Sequence, residues 1–170
     1  MKTPALVVLV MLVHNAAAQR LPEGKLNAIR ERTFDIIHLK VHLEFEFSRG
    51  RVFGEETLTL APLRPLDSIS LDAIRLNVAS VRDEKRKAPI SFVTADRKLN
   101  IKLPHTKSVG ETLTLSIAYD ATPRAGLYFR LDPKTRHYFV DTYGEGGLHA
   151  NWLPIYNDVN DKFSTEMLIN

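Results

Sequence analysis

The sequence predicts an all-β domain, a twisted antiparallel sandwich or saddle built from many short strands. Three observations favour this class. From residue 33 onward, apolar and polar residues alternate with a period of two, which is typical of strands with one buried face. Turn signals containing Gly, Pro, Asp or Asn interrupt the alternation roughly every 8–12 residues. No stretch after residue 32 keeps the period of 3.6 residues that an amphipathic helix would show.

The longest alternation runs from residue 37 to residue 47 and predicts the first strand, with one buried face and one solvent-exposed face. Residues 48–50 are a predicted turn, and residues 52–60 return as the second strand of an antiparallel hairpin. The predicted buried face of the first strand consists of Ile37, Leu39, Val41, Leu43, Phe45 and Phe47. Further short strands are predicted at residues 68–71, 76–81, 90–93, 99–103, 110–119, 127–129, 138–140 and 162–170.

The first 18 residues are typical of an export signal. Lys2 is followed by an apolar run over residues 5–13 and by three alanines at 16–18, the small residues that a signal peptidase requires. The run is far shorter than the ~20 apolar residues needed to cross a bilayer. We therefore predict that residues 1–18 are a signal peptide, that the protein is exported to a periplasmic or extracellular location, and that it has no stable membrane span.

The mature sequence divides into two parts. Residues 19–32 are polar and mixed, and we predict a linker or a short irregular lead-in. Residues 33–170 are the predicted β-domain. The sequence ends on an apolar strand, whereas natural chain ends are usually polar and loose, so we expect a cut at a domain boundary there.

Composition disfavours several classes of function. Lys and Arg number 23 against 20 Asp and Glu, and the densest basic cluster, residues 82–87, contains two acidic residues. Phosphate binding needs a clustered basic patch, so no nucleic-acid partner is predicted. The sequence contains no cysteine, which excludes thiol nucleophiles and cysteine-ligated zinc sites.

Catalytic motifs are also missing from the sequence. The His pair with helical spacing, His38 and His42, lacks the Glu of H-E-x-x-H and lies on a predicted strand. On a strand, two imidazoles four residues apart are ~13 Å apart, too far to share one metal ion. Neither G-x-S-x-G nor a phosphate-binding glycine loop occurs. We predict no catalytic residue and no metal site in this chain.

Pairs of acidic residues occur on the predicted strands, Glu44 with Glu46 and Glu55 with Glu56. Paired carboxylates can act as acid and base in catalysis. On strands such pairs more often solubilise an exposed face, and that is the interpretation we favour.

One segment stands apart from the strands. Residues 141–154 contain the only Trp of the chain, Trp152, and three glycines. Glycines allow tight turns or a close approach of backbone to a ligand, and loops of this kind often line a binding rim. The alternative is a structural loop closed by a buried Trp, and composition alone leaves both open.

The same segment resembles a motif near the end of the N-terminal domain of the aminopeptidase N family, the gluzincin zinc metallopeptidases. That motif is T-Q-G-E-x-x-x-A-R-x-W-F-P-x-x-D-x-P-x-x-K-A-T. Other stretches match in order, at residues 34–41, 54–60, 71–73, 110–113, 118–119 and 126–129. The motif positions that match are Thr142, Gly144, Glu145, Trp152, Pro154 and Lys162, and Thr165 lies one residue beyond the last Thr of the motif.

The resemblance implies a β-saddle that packs on a catalytic domain of the same parent chain, where the zinc would be bound. It further implies that Glu145 holds the free α-amine of a peptide N-terminus, with Gly144 and Tyr143 beside it as substrate-binding residues. A carboxylate facing an ammonium group makes a charge-assisted hydrogen bond. No cofactor is expected in this chain, which by itself is not expected to be an enzyme.

Three departures from the motif bear on the predicted site. Tyr143 replaces Gln, Ala150 replaces Arg and Asn157 replaces Asp. We therefore predict a non-catalytic N-terminal domain of an exported zinc aminopeptidase-like protein. The alternative is a stand-alone β-sandwich module for binding or scaffolding, without peptidase activity.

Overall fold

The computed structural model describes residues 30–170 of the chain. The predicted signal peptide, residues 1–18, and residues 19–29 of the predicted lead-in lie outside the described residues. Residues 30–33 are irregular. In the described part of the chain, no helix is long and apolar enough to cross a membrane.

The described residues form eleven β-strands and two short 3-10 helices, which confirms the predicted all-β class. The 3-10 helices span Phe47–Arg49 and Glu145–Asn151. The strands are β1 (Phe34–Glu46), β2 (Arg51–Pro62), β3 (Leu66–Asp72), β4 (Asn77–Asp83), β5 (Ala88–Pro89), β6 (Ser91–Ala95), β7 (Lys98–Lys107), β8 (Leu113–Ala121), β9 (Leu127–Leu131), β10 (Tyr138–Thr142) and β11 (Ser164–Ile169).

The strands of residues 30–170 are arranged in three sheets. A six-stranded sheet has the order β11-β1-β2-β8-β4-β5, a three-stranded sheet has the order β3-β7-β6, and β9 pairs with β10. All pairs are antiparallel except one, because β11 runs parallel to β1 from His38↔Ser164 to Leu43↔Ile169. An antiparallel neighbour can be joined by a short hairpin, whereas β11 reaches β1 only after the rest of the domain. The predicted antiparallel arrangement is therefore wrong for this edge.

A single apolar core joins the six-stranded and three-stranded sheets. It is formed by the inward side chains of alternate strand positions, so the period-two pattern in the sequence is confirmed. The largest fully buried apolar side chains are Ile36, Leu39, Leu43, Leu58, Leu60, Ile69, Leu71, Leu99, Ile101, Leu115 and Ile117.

A β-bulge in β1 overturns one detail of the predicted core. The register between β1 and β2 shifts between Ile36 and His38, so Ile36 points inward and Ile37 is exposed. A bulge adds one residue to a strand and moves the following side chains to the opposite face. The bulge region is tied to the segment before β11, since the Ile36 N–H donates to Asp161 Oδ2 at 3.1 Å and Arg32 Nη2 donates to Asp161 Oδ1 at 2.8 Å.

Glu56 corrects a second expectation. The sequence predicts that it solubilises an exposed face together with Glu55, but it is 0% exposed on the inward face of β2. Glu55 is exposed, as expected. Adjacent strand residues point to opposite faces, so a pair of consecutive acids cannot lie on one surface.

Candidate functional site

The glycine-rich segment leaves the two-stranded sheet at the end of β10. Thr142 Oγ1 donates to the carbonyl oxygen of Gly126 at 2.6 Å, and the Tyr143 N–H donates to the same oxygen at 3.0 Å. A Cβ built on Gly126, whose φ is +80°, would overlap the carbonyl oxygen of Leu148. The start of β9 and the glycine-rich segment therefore fit closely together, and this contact requires glycine at position 126.

Two glycines shape the segment itself. Gly146 and Gly147 have φ of 69° and 85°, in the left-handed region that favours glycine, and they divide the 3-10 helix Glu145–Asn151 into two turns. The Leu148 N–H donates to the Gly144 carbonyl at 3.3 Å, and the Asn157 side-chain amide donates to the Gly147 carbonyl. The first contact closes the loop on itself, and the second ties it to the segment that follows Trp152.

The structure brings the three predicted substrate-binding residues together at the exposed end of this loop. The Tyr143 hydroxyl donates a hydrogen bond to Oε2 of Glu145, and Gly144 lies between them. Both side chains are exposed, with Tyr143 at 53%. Their role in binding a peptide remains a prediction, but the loop presents a carboxylate and a phenol to solvent side by side.

Trp152 is buried at 2% exposure, which confirms the structural interpretation of this residue. The segment Trp152–Tyr156 is buried throughout. The backbone N–H groups of Trp152 and Leu153 both donate to the His149 carbonyl at 3.0 Å. The loop thus ends in a buried anchor, while its Tyr143 and Glu145 side chains stay accessible.

Ala150 and Asn157, two further departures from the family motif, fit the local structure. Ala150 is 1% exposed, and its carbonyl accepts the Ile74 N–H at 2.7 Å, so an arginine side chain here would have to be accommodated next to the core. Asn157 donates its amide hydrogen to the Gly147 carbonyl, a contact that an ionised Asp, which has no N–H, could not make.

His149 belongs to the loop, and its side chain packs between Gly144 and Trp152. The sequence analysis did not select this residue. Its ring packs edge-on against Trp152, with centroids 5.6 Å apart and an interplanar angle of 73°. Its buried Nδ1 has no hydrogen-bond partner among residues 30–170, and burial lowers the pKa of the imidazole. A signal for it existed, because the family motif has Ala at this position.

Asp72, at the end of β3, fixes the far end of the segment. Its backbone pairs with Ile155, with N···O distances of 2.7 and 3.0 Å. Its carboxylate accepts the Asn157 N–H at 3.0 Å and Arg30 Nη1 at 2.7 Å, and it forms an ion pair with Lys98. Partial burial opposes ionisation, but the bonds from Lys98 and Asn157 and the charges of Arg30 and Lys98 lower the pKa of Asp72 overall.

Replacing Asp72 with Ala should destabilise the domain by about 1–3 kcal/mol at neutral pH, because a hydrogen-bonded, partly buried carboxylate is lost. The lowered pKa means that the folded state binds fewer protons than the unfolded state, so the contribution is present above the ordinary Asp value of about 3.9 and is lost on further acidification. Urea unfolding at neutral and acidic pH measures both effects.

Asp67→Ala is the matched control. Asp67 is on the same strand and pairs with Lys102 at 2.8 Å, but both side chains are exposed, so little change is expected. Equal losses in the two variants would contradict an anchoring role for Asp72.

The described domain does not meet the requirements of a zinc site. Within residues 30–170, no group of three or more His, Asp or Glu side chains could hold a metal ion. Three protein ligands are the usual minimum for catalytic zinc. The donor set of the described domain therefore does not fit a zinc centre.

Comparison with solved structures identifies the class of fold. A two-domain M1 zinc metallopeptidase bound to L-arginine matches with a TM-score of 0.68 at 22% identity, over 83% of this chain and 33% of its own. An M1 zinc metallopeptidase from Deinococcus radiodurans bound to a Tyr-Ser-Ala substrate gives 0.66 at 22% identity, over 81% and 32%. Native yeast LTA4 hydrolase gives 0.71 at 20% identity, over 81% and 23%.

The chain therefore has the fold of one domain of the M1 zinc metallopeptidases. This confirms, at the level of the fold, the resemblance to the N-terminal domain of the aminopeptidase N family. The chain spans about a third of the length of the M1 structures, at 33% and 32%, and 23% of yeast LTA4 hydrolase. No protein-family model matches the sequence, and no curated protein matches it.

Proposed function

We propose that this chain is a non-catalytic N-terminal domain of an exported zinc aminopeptidase-like protein, where it contributes to the rim of a pocket for a peptide N-terminus. The observation that carries the proposal is the exposed Glu145 carboxylate, which a closed, anchored loop presents beside Tyr143. Peptide hydrolysis belongs to a separate catalytic domain, which supplies the zinc and the residues that bind it.

The chemistry of this rim suits a free α-amine. An ammonium group carries one positive charge and three N–H donors, and Glu145 retains a second carboxylate oxygen beyond the one that Tyr143 binds. Internal residues of a peptide lack this charge, so the contact selects the N-terminus. At an exposed position the contribution is small, up to about 1 kcal/mol, so tight binding needs further contacts from the catalytic domain.

An exposed apolar face supports the presence of that partner domain. Tyr138 on β10 and Met167 and Ile169 on β11 are 46–62% exposed. Beside them lies an apolar groove of about 380 Å³. Contiguous exposed apolar surface of this kind marks an interaction site. The groove is lined by Leu43, Phe45, Phe47, Leu127, Val140, Thr142, Trp152, Met167, Ile169 and Asn170.

A peptide titration followed by NMR tests the proposed rim. A tripeptide amide with a free N-terminus should shift the amide signals of residues 143–147 in ¹⁵N-labelled protein, and the N-acetylated peptide should not. Glu145→Gln keeps the size of the side chain and its capacity for hydrogen bonds but removes its charge, so it should abolish the difference between the two peptides.

Two results would contradict the proposal. Equal shifts with the free and the acetylated peptide would show that the charge of the amine is not recognised. Unchanged binding of the free-amine peptide by Glu145→Gln would remove Glu145 from the site.

A further inference from the structure

The imidazole of His149 occupies the space that any side chain at position 144 would need. A Cβ built on Gly144 would overlap Nε2, Cε1 and Cδ2 of this ring. The backbone of Gly144 does not itself require glycine, because its φ of −104° and ψ of −6° are accessible to ordinary residues. Glycine is therefore needed at position 144 because of the ring beside it.

The ring is held in place by its surroundings. It contacts the buried Trp152 edge-on at 5.6 Å, and the carbonyl of His149 accepts two N–H groups from the buried segment that follows. On the other side, the Gly144 carbonyl accepts the Leu148 N–H at 3.3 Å. The buried Nδ1 finds no hydrogen-bond partner in the part of the chain that the structure describes, so shape rather than hydrogen bonding fixes the imidazole.

Gly144 is also the residue that separates Tyr143 from Glu145. Because these two side chains share a hydrogen bond across Gly144, a displacement of its backbone changes the direction of both. A change in the ring that packs against Gly144 would therefore also change the direction of the Glu145 carboxylate.

We infer that His149 is a positioning residue for the rim, and that it sets the direction of Glu145 and Tyr143 by packing against Gly144. The inference rests on the proposed function, because the direction of Glu145 affects binding only if Glu145 binds the amine. The packing relation itself is independent of that assumption.

A double-mutant cycle tests the relation between the two positions. Gly144→Ala alone should displace the loop, raise hydrogen exchange at the Leu148 amide and weaken free-amine peptide binding roughly 2- to 5-fold. His149→Ala alone should loosen the loop by a similar amount. In the double variant the new methyl group enters the vacated space, so exchange and binding should recover most of the way to the values of the unmodified protein.

Gly146→Ala is the matched control. Gly146 has φ of +69°, and a Cβ built there would have no atom within 4 Å, so alanine at this position is strained by its backbone alone. His149→Ala should therefore not rescue Gly146→Ala. The NMR signals of the Tyr143 ring report on the rim alone. Thermal unfolding of each variant shows whether weaker binding comes from a local change in the loop or from destabilisation of the whole domain.

The outcomes distinguish the two proposals. Additive effects in the Gly144→Ala, His149→Ala cycle, or a harmless Gly144→Ala, would overturn the positioning role. If the unmodified protein fails to bind the free-amine peptide, the proposed function fails, and amide exchange together with the Tyr143 signals still decides whether His149 positions the loop.

Discussion

Replacing Glu56 with Leu should raise the free energy of unfolding by about 1–3 kcal/mol, since a buried polar group without a partner costs that much. Glu56 is 0% exposed, and neither carboxylate oxygen finds a hydrogen-bond partner among the residues that the structure describes. Its neighbours across the sheet, Val41 and Ile117, are apolar. Thermal unfolding should show the gain as a rise in Tm of roughly 3–10 °C.

The difference in unfolding free energy between Glu56→Leu and the unmodified protein should grow as the pH rises. Burial raises the pKa of Glu56 well above its ordinary value, so the folded state holds a proton that the unfolded state releases. The unfolding free energy of the unmodified protein therefore falls as pH rises above about 4.3 and keeps falling up to the folded pKa, by at most about 1.4 kcal/mol per pH unit. Glu56→Leu and Glu56→Gln, which cannot ionise, should lack this fall.

Tyr119 is an ionisable residue close to Glu56, so its titration has to be distinguished from that of Glu56. Its hydroxyl is also buried without a partner in the described residues; burial and then the charge of Glu56 raise its pKa. Tyr119→Phe should leave the fall that begins above about pH 4.3 in place, because an ordinary Tyr titrates near 10, well above the pH at which the fall begins. A pH dependence that survives in Glu56→Gln would show that Glu56 is not its source.

Replacing Trp152 with Ala should cost about 3–5 kcal/mol, the usual loss for an aromatic residue removed from a packed core. Trp152 is 2% exposed, and its ring contacts His149 on the loop side. The loss should be accompanied by faster hydrogen exchange in residues 143–151, since the anchor of that loop is removed. Denaturant unfolding and amide exchange measure the two parts.

Val159→Ala serves as the control because Val159, on the same connection to β11, is 95% exposed. It should change stability by less than about 0.5 kcal/mol. A loss from Trp152→Ala that is no larger than this would show that the buried anchor contributes little to the fold.

Much of the fold could be predicted because it depends on short-range patterns. Apolar spacing and turn residues alone predict the alternation of β1 and β2, the turn at Gly50 and the hairpin of β6 and β7. The bulge at Ile37 and the burial of Glu56 could not be read in this way. Both depend on how a strand registers with its neighbours, and one residue of shift exchanges the two faces.

The sequence likewise predicts some residues of the candidate site and misses others. The motif match selects Tyr143, Gly144 and Glu145, and the structure places them together. It does not select His149 or Asp72, which hold the loop from below and from β3. The partners of Asp72 are distant in sequence, and the role of His149 depends on the shape of its surroundings, so the departure from the motif at position 149 does not by itself reveal what the residue does.

The sequence by itself determined an all-β chain without a catalytic motif, because strand periodicity, turn chemistry and motif spacing are local properties. The tertiary structure alone decided that β11 runs parallel to β1, that Glu56 is buried in the core, and that Glu145 is presented by an anchored loop. Those features arise from contacts between segments far apart in the chain, whose energies depend on packing and burial rather than on neighbouring residues.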